Sequence, residues 1–487
     1  MDNTHNWGGD FALYIHQSKG IIDGNVAEIA ALNSYALQHS SYDTFSPELY
    51  PWGWPILLIP VVSLIGLNYF WMKLYVLFFF LSMTYFAFRY FTTLTDKVTA
   101  IVVTLCLLVN TSFLMFTNSV LSEFPFLCFV FLSLWLFQNV KLVMEGVSCD
   151  TDNKSIMKRR LFLNVSVGEL ALLLFAAFSL FFTVAIRSEG YLLIVALLIS
   201  ASFDFINFSN KLLFIKQNSW QFVLWGTVAL LHFVYLLLLP QGSGAHVGHF
   251  KLASIASMLE NVEFYLFKIP LLFSSFFGDR FAFVILPLVY LGMIKRWTHD
   301  RTLVVFVLLL QGLLIIWPHQ TMRYLFVQIP FIFYFLMRGL EMISFSLNIK
   351  GYKVSMAKLF FVFLIVCLSI DAAMIIPSQL ADDKTTEGPE TPAAKAMFEF
   401  IQDETGNDAV IVFFKPRVMS LYTKRKSCLV NDYPYKIRAE GDYLVIHKEM
   451  GNFDQIGSIH YNPPEWLDIK YENDLFIVYQ IMKKLTV

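Results

Sequence analysis

Asp10 follows two glycines in His5-Asn6-Trp7-Gly8-Gly9-Asp10 and opens a short helical pattern. Asp10, Tyr14 and Gln17 fall on one face at i, i+4 and i+7, with Phe11, Ile15 and Ile22 on the other. An acid on such a helix, its apolar side pressed on a larger apolar body, is a candidate proton acceptor. It is equally a candidate N-cap that takes the first backbone amides of the helix. Further charges stand at the ends of apolar runs, where an ionisable side chain is costly and commonly serves function. They are Glu123 in Ser122-Glu123-Phe124-Pro125, Arg187 and Glu189 in Arg187-Ser188-Glu189-Gly190, and Arg323 with Tyr324 after Trp317-Pro318-His319. Acids and guanidiniums converging on one pocket suit an anionic ligand of the phosphate type. Plainer roles stay open for each: Arg187 and Glu189 neutralising one another, Glu123 capping its helix, Arg323 reaching for headgroups.

The elements that position these residues are set by composition. Of 487 residues, 57% are hydrophobic and 15% charged, and mean hydropathy is +0.59. That is an integral membrane protein. The net charge of −1 gives no reason to invoke nucleic acid. No Cys/His spacing resembles a zinc site, and the polar opening does not read as a signal peptide. The segment from Tyr50 to Leu67 predicts a helix at the membrane interface or packed in protein near it. About ten spans follow, at 69–90, 98–118, 121–140, 166–186, 190–206, 219–239, 281–294, 302–317, 324–338 and 359–377.

Basic residues set the expected orientation. Arg89, Lys97, Lys141, Lys158-Arg159-Arg160, Lys211, Lys216, Lys295, Arg296, Arg301, Arg338 and Lys358 fall on one set of connections, which the positive-inside rule makes cytoplasmic. The residues up to 68, the loop 240–280 and the region after Pro377 are then extracytoplasmic. An outer start with no export device predicts a further helix before Met1. In the loop 240–280, Lys268 and Arg280 bracket an apolar run suited to lie on a lipid phosphate, while His246 and His249 lack a third metal ligand. Residues 1–380 are expected to form the membrane domain and 381–487 a small extracytoplasmic α/β domain. Its expected elements are a helix at Thr391–Glu404 and strands at Asp408–Phe414, Tyr443–His447 and Leu475–Gln480.

Taken in order, these segments resemble the GT-C superfamily of membrane glycosyltransferases, which includes protein O-mannosyltransferases and lipid A aminoarabinose transferases. The resemblance rests on Gly9-Asp10 with Tyr14 and Lys19-Gly20, Tyr50-Pro51-Trp52-Gly53-Trp54-Pro55, Ser122-Glu123-Phe124-Pro125, Arg187-Ser188-Glu189-Gly190 and Arg323-Tyr324. It extends to Asp408-Ala409-Val410-Ile411, Lys415-Pro416-Arg417 and Leu421-Tyr422 with Arg425 in the tail. The resemblance implies transfer of a hexose or pentose, with inversion, from a polyprenyl-phosphate carrier to a glycan, lipid or protein acceptor outside the membrane. It makes Asp10 the general base, Arg187, Arg323 and Lys268 the stabilisers of the leaving phosphate, and Tyr14, Glu123, Glu189 and Tyr324 further substrate contacts. Many members pair two acids in the first loop. Here glycine precedes Asp10, which counts against a metal-dependent version of the reaction; no cofactor is expected, and a divalent metal stays open without support.

A transporter or flippase for lipid-linked saccharides is the competing class. Against it stand the lack of a repeated half and the grouping of charges at one face. A scaffold displaying the tail would leave those charges without a role.

Overall fold

Apolar runs some twenty residues long leave backbone in lipid one way to satisfy its own hydrogen bonds, the helix. The computed structural model describes residues 3–41, 47–144, 147–148, 156–157, 166–242, 250, 253–343, 346–349, 352–381, 388–430, 435–449 and 457–482. Three helices come first: α1 (Asp10–Asp23), α2 (Val26–His39) and α3 (Gly53–Ile65). Next stand α4 (Tyr69–Leu94), α5 (Lys97–Leu108), α6 (Thr111–Phe116), α7 (Glu123–Met144), α8 (Val167–Ile186), α9 (Gly190–Asn207), α10 (Lys211–Gln217) and α11 (Trp220–Leu238). The last membrane-region helices are α12 (Ile255–Lys268), α13 (Ala282–Arg296), α14 (Arg301–Ile316), α15 (Ile329–Ile343) and α16 (Met356–Ala381). Among the described residues six helices are long and apolar enough to cross a membrane, namely α4, α7, α8, α9, α11 and α16 as far as Pro377. Their outer faces carry exposed Phe78, Phe175, Phe222 and Phe363, as a lipid-facing surface requires.

The other expected spans are shorter. The run 98–118 breaks in two at Asn110, whose side chain caps α6 through Phe113 N at 3.2 Å and donates to Leu272 O at 2.7 Å. A polar residue with two backbone partners halts the helix where apolar periodicity alone would carry it on. Helices α13, α14 and α15 have 15, 16 and 15 residues. Arg323 and Tyr324 precede α15, in a 3-10 turn at Met322–Leu325.

Charges collect at the two ends of the bundle. Glu123 opens α7 and Lys141 lies in its last turn. At the Lys141 end, Arg301 meets Asp204 at 2.8 Å, Arg296 meets Asp300 at 2.6 Å and Lys358 meets Asp96 at 3.1 Å. Lys158-Arg159-Arg160 lie outside the described residues.

After α16 the chain forms a mixed sheet. Two hairpins lie earlier, β1 (Val147–Ser148) with β2 (Ile156–Met157) and β3 (Ser346–Ile349) with β4 (Tyr352–Ser355). The sheet strands are β5 (Val410–Val412), β6 (Lys426–Cys428), β7 (Tyr443–His447), β8 (Leu467–Glu472) and β9 (Phe476–Ile481), in the order β6-β5-β7-β9-β8. β5 runs parallel to β6 and β7, and β9 antiparallel to β7 and β8. Helices α17 (Pro392–Glu404), α18 (Pro416–Thr423) and α19 (Tyr435–Glu440) accompany it. One hydrophobic core runs from Phe80 and Phe124 in the bundle through Phe11 to Phe413 and Phe476 in the sheet. The chain is thus an α-helical polytopic membrane protein closed by a small C-terminal α/β region.

The N-terminal segment is caught between the two. Trp7 is ringed by Phe413, Phe414 and Phe476 at 5.2 to 6.1 Å between centroids. Ser41 N donates to Leu429 O at 2.8 Å. Helix α1 is therefore covered on all sides through its middle: Phe11 and Ile15 are buried as expected, but so are Tyr14, His16, Gln17 and Ser18. Ile22, expected on the apolar face, is 41% exposed. The amphipathic expectation had only the membrane body to press against, whereas α18 covers the other side.

Candidate active site

Glycine sets the first contacts of the site. Gly53 begins α3 flat against the last turn of α8, where a Cβ would stand 2.5 Å from the Ala185 carbonyl carbon. Gly190 begins α9 with the same fit against Thr183. Any other residue would drive these helix ends apart. Tyr50, just before α3, and Arg187, just after α8, line the same cavity.

Asp10 is the first residue of α1, and the N-cap is Gly9, which has no side chain to offer. The Asp10 carboxylate instead accepts from the Tyr50 hydroxyl at 2.6 Å and from Arg323 Nη1. The rest of the predicted polar stripe turns to the same tyrosine. Tyr14 stacks on Tyr50 with centroids 4.7 Å apart. Gln17 donates to Tyr50 O at 2.9 Å and accepts from Tyr50 N at 3.1 Å. The face made by Asp10, Tyr14 and Gln17 thus holds one residue at its ring, its hydroxyl and its backbone.

From Asp10 a chain of opposite charges runs inward. Arg323 bonds Asp10 through Nη1 and Glu123 Oε1 through Nε. The same Oε1 accepts from Arg187 Nη1 at 2.6 Å. Arg187 reaches Glu189 Oε1 through Nη2 at 2.6 Å and Nε at 3.1 Å, and Ser122 Oγ through Nη1 at 3.1 Å. Ser122 lies 3.0 Å from the Tyr14 hydroxyl. Glu123 is 1% exposed and aligns both guanidiniums, so it neither caps α7 nor lines the opening. Arg323, 22% exposed, is held by two acids rather than extended to a headgroup. Among the described residues its Nη2 makes no hydrogen bond, and its side chain lines a cavity of about 530 Å³.

Asp10, Tyr14, Tyr50, Arg187, Glu189 and Arg323 form the polar end of that cavity. Leu192, Leu310, Leu314, Trp317 and Val327 supply apolar lining, and His319 and Tyr324 line it as well. Such a space admits a ligand with one charged and one greasy end. Burial works against the charge on Asp10, but Arg323, the Tyr50 hydroxyl and Arg417 outweigh it and hold the carboxyl at about 2. Burial and the neighbouring Asp10 push Tyr50 well above the ordinary tyrosine value, and burial chiefly raises Tyr14. Both phenols therefore keep their protons near neutral pH, and Tyr50 donates its own to Asp10.

Lys268 is not brought to this cluster. It ends α12 with its ammonium 5.6 Å from the Phe264 ring centroid, and it does not line the cavity. Among the described residues no three His, Cys, Asp or Glu side chains stand together as metal ligands; His246 and His249 fall outside those residues. Sequence reasoning missed the part played by Tyr50, Ser122, Gln17 and Arg417. Tyr50 and Arg417 stood in the motifs singled out, but nothing local says that they meet across 367 positions.

No family model matches the chain, and no curated protein does. Solved structures do. ArnT from Cupriavidus metallidurans bound to undecaprenyl phosphate superposes with a TM-score of 0.52 at 9% identity, covering 98% of this chain and 94% of that one. The apo state of the same protein gives 0.52 at 10% identity, with the same coverage. The Archaeoglobus fulgidus oligosaccharyltransferase tethered with an acceptor peptide gives 0.50 at 10% identity, covering 92% of this chain and 66% of that one. The fold is that of the GT-C membrane glycosyltransferases.

Proposed function

From this fold and site we propose that the chain is an inverting membrane glycosyltransferase, moving a sugar from a polyprenyl-phosphate donor to an acceptor hydroxyl outside the cytoplasm. The observation that carries the reading is the run Asp10–Arg323–Glu123–Arg187–Glu189 at the polar end of a largely apolar cavity. A prenyl phosphate has the same division, and the ArnT structure holds undecaprenyl phosphate. All the charged members of the run sit at helix ends on one side of the bundle. A carrier for such lipids would place them midway along its helices.

In the proposed reaction the acceptor oxygen attacks the anomeric carbon from the face opposite the phosphate. The bond from that carbon to the phosphate oxygen breaks, the acceptor proton passes to Asp10, and polyprenyl phosphate leaves against Arg323 and Arg187. Guanidiniums act there by stabilising the charge that grows on the leaving oxygen. A carboxyl held at about 2 is a weak base. The donor supplies the remedy: its phosphate competes for Arg323, and the carboxylate it displaces from that cation regains basicity. Donor binding then precedes productive acceptor binding. Glu123 keeps both arginines in place throughout, and Tyr14 and Tyr50 orient the carboxylate and cation without exchanging protons.

The test is turnover by the full chain in liposomes, using undecaprenyl-phosphate-linked hexoses and pentoses with membrane glycan extracts as acceptors. We expect sugar transfer and release of undecaprenyl phosphate from at least one donor. Failure to bind undecaprenyl phosphate at all would remove the reading.

A further inference from the structure

Arg417 is a basic residue where helix physics asks for an acid. It lies in the first turn of α18, directly after Pro416, and the macrodipole disfavours a cation there. Its side chain is 4% exposed, so it also loses hydration. Stability alone does not select arginine at such a position. What it touches does. Nη2 donates to Pro47 O at 2.5 Å, the guanidinium lies 5.2 Å from the centroid of the Tyr50 ring, and Nη1 lies 3.4 Å from the Tyr50 hydroxyl. The same Nη1 is 4.0 Å from Asp10 Oδ1.

On the premise of the transferase reading above, we propose that Arg417, from the C-terminal domain, is a positioning residue that fixes the Tyr50 hydroxyl as a donor to Asp10. A phenol has one proton and two lone pairs, and a guanidinium has only donors. With Arg417 on the lone-pair side of Tyr50, the phenol proton points to Asp10 Oδ1, 2.6 Å away. Oδ1 is then occupied, and Oδ2, the oxygen shared with Arg323, is the one that an acceptor hydroxyl meets once the donor has engaged that arginine. The guanidinium over the ring, anchored on Pro47, and Tyr14 stacked on the same ring hold it in place. Lysine cannot reproduce a planar fork that stacks and donates in two directions. The small domain thereby completes the site built by the membrane bundle.

The test is a double-mutant cycle on the full chain in liposomes, using an undecaprenyl-phosphate sugar that the wild type turns over. Arg417→Gln and Arg417→Lys should each lower kcat by about 10- to 100-fold, the scale of a misplaced reacting group. KM for the donor should stay within about twofold, since Arg417 is assigned no phosphate contact. Tyr50→Phe should show a similar loss, and adding Arg417→Gln to it should cost nothing more. Losses that multiply would mean that Arg417 merely docks the domain, and so would wild-type kcat in both Arg417 variants. A cryo-EM structure of Arg417→Gln gives a reading that needs no turnover. Tyr50 should leave Asp10, and a retained contact of 2.6 Å would overturn the proposal. Asp10→Asn run alongside separates the two levels, because full activity there refutes the transferase mechanism rather than the role of Arg417.

Discussion

Asp10→Asn tests the proposed base with little change of shape. The amide oxygen can still accept from Tyr50, whose hydroxyl lies 2.6 Å from Oδ1. What is lost is the charge facing Arg323 and the capacity to take a proton. The carboxylate is 31% exposed and Arg323 22%, so water screens the pair, and Arg323 keeps Glu123. We expect a stability loss of about 1 kcal/mol at neutral pH, the scale of a partly screened charged hydrogen bond. Its pH dependence has a fixed sign. The folded carboxyl is held at about 2, below its ordinary 3.8, so its contribution is present above about pH 4 and disappears as pH falls towards 2. The gap between wild type and variant should close over that same interval. Transfer should fall by about 10²- to 10⁴-fold, the usual weight of a general base. Undecaprenyl phosphate should bind the variant a few-fold more tightly, because no carboxylate then competes for Arg323. The assays are sugar transfer in liposomes, detergent melting from pH 2 to 7, and direct lipid binding. Wild-type turnover in Asp10→Asn would refute the base assignment, and weaker lipid binding would refute the exchange on Arg323.

Arg323→Ala should weaken undecaprenyl phosphate binding by about 10- to 100-fold, the range of one charge-assisted contact; unchanged affinity would put the phosphate elsewhere. Glu123→Gln should destabilise the protein by about 2 kcal/mol, since it leaves two half-buried guanidiniums short of a counter-charge; a melting temperature equal to wild type would show that Ser122, Glu189 and Asp10 suffice. Burial, with Lys19 and Lys424 nearby, holds His16 neutral at about 3, below its ordinary 6.5. The unfolded chain therefore binds the extra proton first, and wild-type stability should fall by about 2 kcal/mol between pH 6.5 and pH 5. His16→Gln should flatten that acid slope, and equal slopes would show that His16 can charge where it lies.

The long spans were legible because lipid imposes a local rule: each apolar run must close its own hydrogen bonds. The charges at one end of the bundle were legible for a related reason, since each stood at the edge of such a run and was conspicuous there. Asn110 was harder to read. Its effect depends on Leu272, a partner 162 positions away, and no periodicity in 98–118 signals it. The burial of α1 had the same obstacle, because its second cover is made by α18 near the other end of the chain. Lys268 looked suited to a phosphate from its flanking apolar run, but α12 ends with it outside the cavity lining. In the C-terminal region the apolar strands were readable. β6, of three residues, is too short for a pattern, and β8 carries Asp468 and Lys470 as the exposed charges of an edge strand.

The clamp on Tyr50 also has a clock in it. A ribosome adding about 5 to 20 residues per second makes Arg417 roughly 20 to 70 seconds after Tyr50, given the 367 positions between them. Through that interval the nascent protein carries its acid, its tyrosines and, late on, both inner arginines, but not the Arg417 contact to Tyr50. The bundle can insert and pack around an unfinished site. On the role inferred for Arg417, full activity waits until that residue has been made and α18 has closed over α1, so the incomplete chain is held back from turnover by the order of its own synthesis.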